Sequence, residues 1–159
     1  MITFVAGICR AQTKGTVKLH AFKQSVAQGK APEVTDGPQV SERQGKNYFI
    51  YAVSPSRIYP SEIWIEGERY GVSVTTITQT PVEQGDDRNI GAPKKVLVPK
   101  TTQKVIQLVP IPAVEEKSFG ANAKSQAKTN DVVLVYKQNG KFYYKALKRM
   151  SDLEGAYMQ

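Results

Sequence analysis

Apolar and polar residues along this chain alternate with a period near two far more often than they recur every three or four positions. That pattern predicts strands rather than helices. In "TVKLHAF", Val17, Leu19 and Ala21 fall on one side, with Lys18, His20 and Phe22 on the other. "NYFIYAV" supplies a compact aromatic and branched strand, Tyr48 to Val53, stopped at Ser54-Pro55 because proline has no N–H for a ladder. "SEIWIEGERYGVSVTTI" reads as a hairpin. A type II′ turn at Gly67-Glu68 would place the positive φ on glycine, pair residue 65 with 70 and 63 with 72, and put Ile63, Ile65, Tyr70, Val72 and Val74 on one face. Trp64 then lies opposite Gly71, on the face with Glu66, Arg69 and Ser73.

"VLVP" and "KVIQLVPIP" follow as strands, the second closed by Pro110 and Pro112. In "DVVLVYKQNGKFYYKALKR" the dipeptide Asn139-Gly140 is a strong signal for a type I′ hairpin turn. Both faces of that hairpin carry apolar residues: Val133 and Val135 with Phe142, Tyr144 and Ala146, or Val132, Leu134 and Tyr136 with Tyr143 and Leu147. Such a hairpin belongs in the centre of a fold, or turns one face to a partner. Loops are expected near 27–46, 79–95 and 113–130, where Gly, Pro and small polar residues gather; the last of these has the composition of a marginal helical turn. Seven or eight short strands with almost no helical period predict an all-β single domain. An antiparallel β-sandwich of immunoglobulin-like kind is the first expectation and a small closed barrel the alternative.

The opening does not fit that alternation. "ITFVAGI" is a short apolar run followed by Cys9-Arg10-Ala11-Gln12, and Ala11 is the small residue that a signal-cleavage site wants. Residues 1–11 are therefore expected to be the remnant of an export signal, cut before Gln12, with residues 12–159 forming the domain. This run is far shorter than the about 20 apolar residues that span a membrane. Cys9 is the only cysteine, so an internal disulfide and a multi-thiolate zinc site are excluded. Two other readings of the segment are a lipidated Cys9, against which bulky Ile8 argues, and a plain first strand.

Length and charge change the picture less. A chain of 159 residues is ordinarily one domain and long enough to bury a real core. The formal charge of +8 favours anionic partners, but nine basic and six acidic residues in 1–80 against thirteen and eight in 81–159 spread the excess along the chain.

Catalytic and metal chemistry find little support. His20 is the only histidine, without a second ligand at a recognisable spacing. Asp86-Asp87 with Asn89 has oxygen ligands for a hard cation but not the spacing of an EF-hand, and Glu115-Glu116 points its carboxylates in opposite directions on an extended segment. No phosphate-binding glycine pattern or nucleophile elbow occurs. No cofactor and no metal are expected. What remains is aromatic residues interleaved with cations in "GKNYFIYA" and "GKFYYKALKR". This pattern places a possible partner surface on Trp64, Tyr136, Lys141, Tyr143 and Lys145; Lys46 and Tyr48 join Lys141, Tyr143 and Lys145 if the ligand is single-stranded nucleic acid stacked on rings.

At "PSEIWIEGERYGV", "VLVP" and "NDVVLVYKQNGKFYY" the chain resembles a group of small exported β-rich envelope proteins of Bacteroidota-type Gram-negative bacteria, a group without an established activity. The resemblance covers most of Val17 to Arg149 and is carried by structural motifs, so it transfers no catalytic residue. It implies a periplasmic or secreted location. Together these readings lead to the expectation of a non-enzymatic exported protein that contacts another envelope protein or complex, with a cytosolic nucleic-acid-binding barrel as the alternative.

Overall fold

The structure, a computed structural model, describes residues 17–28, 46–84, 94–113 and 122–158. The expected export segment with Cys9, the pairs Asp86-Asp87 and Glu115-Glu116, and much of the three long loops lie outside these residues. Ten strands and one short helix are present among the described residues: β1 (Lys18–Gln28), β2 (Lys46–Ser54), β3 (Tyr59–Ile65), β4 (Glu68–Ile77), β5 (Val82–Gln84), β6 (Lys95–Val98), β7 (Lys104–Ile111), α1 (Ala123–Ala127), β8 (Val132–Gln138), β9 (Lys141–Leu147) and β10 (Ser151–Met158).

The protein is all-β, as the alternation predicts. Eight strands form one sheet in the order β10-β1-β2-β7-β4-β3-β8-β9, antiparallel throughout except that β10 runs parallel to β1. The sheet folds over on itself at β4. Residues Ile63 to Ile65 of β3 pair with Glu68 to Tyr70, whereas Gly71 to Ile77 pair with β7. At this corner β4 passes very close to the end of β7: a Cβ on Gly71 would stand 3.1 Å from Ile111 Cγ1 and 3.3 Å from the Pro112 carbonyl oxygen. Glycine meets this demand because it has no side chain there.

The two halves of the sheet face each other across the main core. Val17, Leu19 and Ala21 of β1, Ile50 and Ala52 of β2 and Leu108 of β7 meet Ile63, Ile65, Val132, Leu134 and Tyr136 from the other half. Period-two alternation puts each of these sets on one side of its strand. Each outer face has its own small cover. The β5–β6 ribbon lays Leu97 and Val98 over Phe22, Tyr51, Val53 and Val105. Helix α1 lays Ala123 and Ala127 over Trp64, Val133 and Val135. The two layers expected of a sandwich are thus halves of one continuous sheet, curled like an open barrel, with β9 coming alongside β1.

Three local expectations are corrected and one unannounced strand is added. The β3–β4 turn falls on Glu66-Gly67, with φ of 49° and 84°, a type I′ geometry that pairs 65 with 68 and 63 with 70. The shift is two residues, so the facing pattern survives while the register does not. The expected loop at 79–95 contains β5, which pairs with β6. The C-terminal stretch, polar and without clear alternation, forms β10 by pairing with the half of β1 beyond Ala21. Pro110, expected to close its strand, lies within β7 opposite Val72; the register of β2 with β7 reaches only to Leu108, so no ladder on that side misses the proline N–H.

Candidate functional site

The hairpin of β8 and β9 turns at Asn139-Gly140 with φ of 51° and 78°, the type I′ turn that the dipeptide favours. Gln138 pairs with Lys141, Tyr136 with Tyr143, Leu134 with Lys145 and Val132 with Leu147. In a two-residue hairpin the pair closing the turn exchanges both backbone hydrogen bonds, and every second pair repeats this. Lys141, Tyr143, Lys145 and Leu147 therefore bond inward to β8. The N–H and C=O groups of Phe142, Tyr144 and Ala146 point away from it. Strand β9 is the end of the sheet, and among the described residues no strand pairs with its other side.

The two strands of this hairpin are in different environments. Val132 to Tyr136 are buried on both faces, against the main core and beneath α1. In β9, Lys141 and Phe142 are exposed and the rest is half-buried. The Lys137 ammonium sits 5.6 Å from the centroid of the Phe142 ring, which is 41% exposed. Tyr143 stacks on Tyr136 with centroids 5.8 Å apart and ring planes at 24°. Lys145 shares the core-facing side with Tyr143 and Leu147.

The five residues expected to form one partner surface are therefore divided. Lys141 and Lys145 lie on the edge strand, with Tyr143 between them and half-buried. Trp64 and Tyr136 are not surface groups, being 8% and 4% exposed. Trp64 is covered because α1 brings two alanines onto that face, and its indole Nε1 is buried without a hydrogen-bond partner. Tyr136 is in the main core, where burial and then the neighbouring Tyr143 raise its hydroxyl pKa. Two rings outside that set, Phe142 and Tyr144, point to the outer side of β9, where Tyr144 packs against the cluster beneath α1. Their signal was the alternation itself, since they occupy the parity opposite Tyr143 and Lys145.

The nucleic-acid set is divided as well. Lys46 and Tyr48 stand at the start of β2, opposite Ser25 and Lys23 of β1, and their side chains reach the β3–β4 turn. The Tyr48 hydroxyl donates to Glu66 Oε2 at 2.9 Å, and the Lys46 ammonium is 3.6 Å from the same oxygen. Lys23 Nζ is 3.6 Å from Glu66 Oε1. Glu66 thus clasps the two halves of the sheet across one end of the barrel. Burial, then the hydrogen bond to Glu66 and its charge, pushes the Tyr48 pKa well up, which keeps the hydroxyl protonated as a donor. Lys141 follows the hairpin turn at the opposite end of β8 from Val132, which pairs with Ile65 beside the clasp. The five residues do not converge on one groove.

No group of three or more His, Cys, Asp or Glu side chains among the described residues is placed to hold a metal ion. No helix among them is long and apolar enough to cross a membrane. Family models, curated proteins and solved structures give no match to this chain.

Proposed function

We propose that this chain is a non-enzymatic binding protein of the bacterial envelope, exported from the cytoplasm, which takes an extended segment of another protein onto the edge of β9. The observation that carries the reading is the alternation of backbone groups on that strand. Tyr144 and Ala146 turn their donors and acceptors outward, and among the described residues no strand forms a ladder with them. Strand addition supplies affinity through main-chain bonds and specificity through alternate side chains. Lys141 and Lys145 lie on the same strand, so an incoming strand with acidic residues is favoured over a basic one. Export is supported by the apolar run Ile2 to Ile8 followed by Ala11.

A photoreactive amino acid at position 142 tests this in the producing cells, with position 96 as the comparison because Val96 is exposed on the distant ribbon. A discrete protein adduct from position 142 and none from 96 is expected. Ala146→Pro removes an outward N–H without touching the β8–β9 ladder and should abolish the adduct. An adduct that survives this substitution, or forms equally from position 96, contradicts strand addition. Mass spectrometry of the N-terminus from fractionated cells tests export; an intact Met1 on a cytoplasmic product overturns it.

A further inference from the structure

At the end of the barrel beside the clasp, the β3–β4 turn, the segment after α1 and the link from β9 to β10 enclose an open cleft of about 460 Å³. This is within the range of small-ligand sites. Three cations border it: Lys128, Lys148 and Arg149. Among the described residues none of them has a carboxylate within 4.0 Å. Two carboxylates also border the cleft, and both are engaged elsewhere. Glu66 is held by Lys23, Lys46 and Tyr48, and Asp131 Oδ2 accepts the Met150 N–H at 2.9 Å.

The three segments are knitted together beneath the cations. Glu66 N–H donates to the Asp131 carbonyl at 2.8 Å, and Asp131 N–H donates to the Lys148 carbonyl at 3.1 Å. Carbonyls at the end of α1 would repel an anion, and two of them are occupied. Ser125 O accepts the Lys128 N–H, and Gln126 O accepts the Thr129 N–H and the Asn130 amide. The charges facing the cleft are therefore a positive excess on a fixed backbone frame.

We propose that this cleft binds a small ligand through a tetrahedral oxyanion of the phosphate or sulfate type, held by Lys148 and Arg149 on one side and Lys128 on the other. Arginine supplies a planar fork and the lysines supply point charges, a combination suited to an oxyanion with several acceptor atoms. The site is separate from the β9 edge, so either can fail without the other.

Titration of the full chain with sodium phosphate and, separately, sodium sulfate, at ionic strength held constant with chloride, tests the proposal by amide chemical shifts. Saturable shifts at residues 128–131 and 148–149 with at least one oxyanion are expected. Replacing Lys148 and Arg149 together by Ala should weaken binding by at least about tenfold, whereas Lys18→Ala on the outer face of β1 should leave it unchanged. All the substituted side chains are exposed, and an unchanged melting temperature will show that the fold is kept. Shifts that stay linear with both oxyanions, that chloride reproduces, or that persist at equal affinity in the double variant overturn the site.

Discussion

Replacing Glu66 by Gln removes the charge of the clasp while keeping its size and its position in the turn. Two ion pairs are lost, Lys23 at 28% and Glu66 at 31% side-chain exposure in one, Lys46 at 50% in the other. Partly exposed pairs of this kind contribute about 0.5 kcal/mol each. The hydrogen bond from Tyr48 survives but changes from charged to neutral, a further loss of about 0.5–1 kcal/mol. The sum is about 1.5–2 kcal/mol, which for a chain of this size lowers the melting temperature by about 3–8 °C. Tyr48→Phe should cost about 1 kcal/mol, and the two substitutions should couple, the double variant losing less than the sum. At about 1 M NaCl, where the Debye length is about 3 Å, the ion-pair part should vanish and the Tyr48 part should remain. Urea unfolding of the four proteins at low and high salt measures all of this. A Glu66→Gln variant within about 0.5 kcal/mol of the parent, the usual range for inconsequential surface changes, together with zero coupling to Tyr48, would refute the clasp.

Trp64→Ala should destabilise by about 3–5 kcal/mol, because the indole fills the space beneath α1. Trp64→Phe should cost far less, since it also removes a buried N–H that has no acceptor, a penalty of about 1–3 kcal/mol; equal losses in thermal unfolding would show that α1 does not seal this face. Burial and then Lys18 lower the His20 pKa. A lowered folded-state pKa means that neutral His20 contributes stability above the unfolded value of about 6.5, lost as pH falls through the folded value. His20→Gln should flatten the decline in urea midpoint on the acid side of about pH 6.5, and an unchanged slope would contradict that assignment.

How much of this was legible in the sequence depends on whether a feature is local. Asn139-Gly140 carries its own turn geometry, the alternation in Val17 to Ala21 assigns faces without reference to neighbours, and the unbroken apolar run Val132 to Tyr136 marks a strand buried on both faces. The Glu66-Gly67 turn resisted because moving a type II′ turn at 67-68 to a type I′ turn at 66-67 leaves the same residues on each face. The hydrophobic pattern cannot distinguish registers two residues apart. The choice required a non-glycine residue, Glu66, at positive φ, which the clasp from Lys23, Lys46 and Tyr48 helps to hold. Trp64 and Tyr136 read as surface aromatics because their cover is non-local. Two small alanines on a five-residue helix carry no strong sequence signal, yet they bury an indole. Strand β10 depends on an edge of β1 already in place, and a parallel partner need not show the alternation of a half-exposed antiparallel strand. Phe142 and Tyr144 lie in the expected hairpin, and their place on the outer side of an edge strand emerged only from the position of β9 in the sheet.

Amide hydrogen exchange along β9, followed residue by residue, tests the open edge and its proposed use together. In the free protein the amides of Tyr144 and Ala146 should exchange much faster than those of Tyr143, Lys145 and Leu147, which bond to β8. In complex with the protein captured from position 142, the fast set should become as slow as its neighbours. Equal protection of both sets in the free protein, or a fast set that stays fast in the complex, would contradict strand addition at β9.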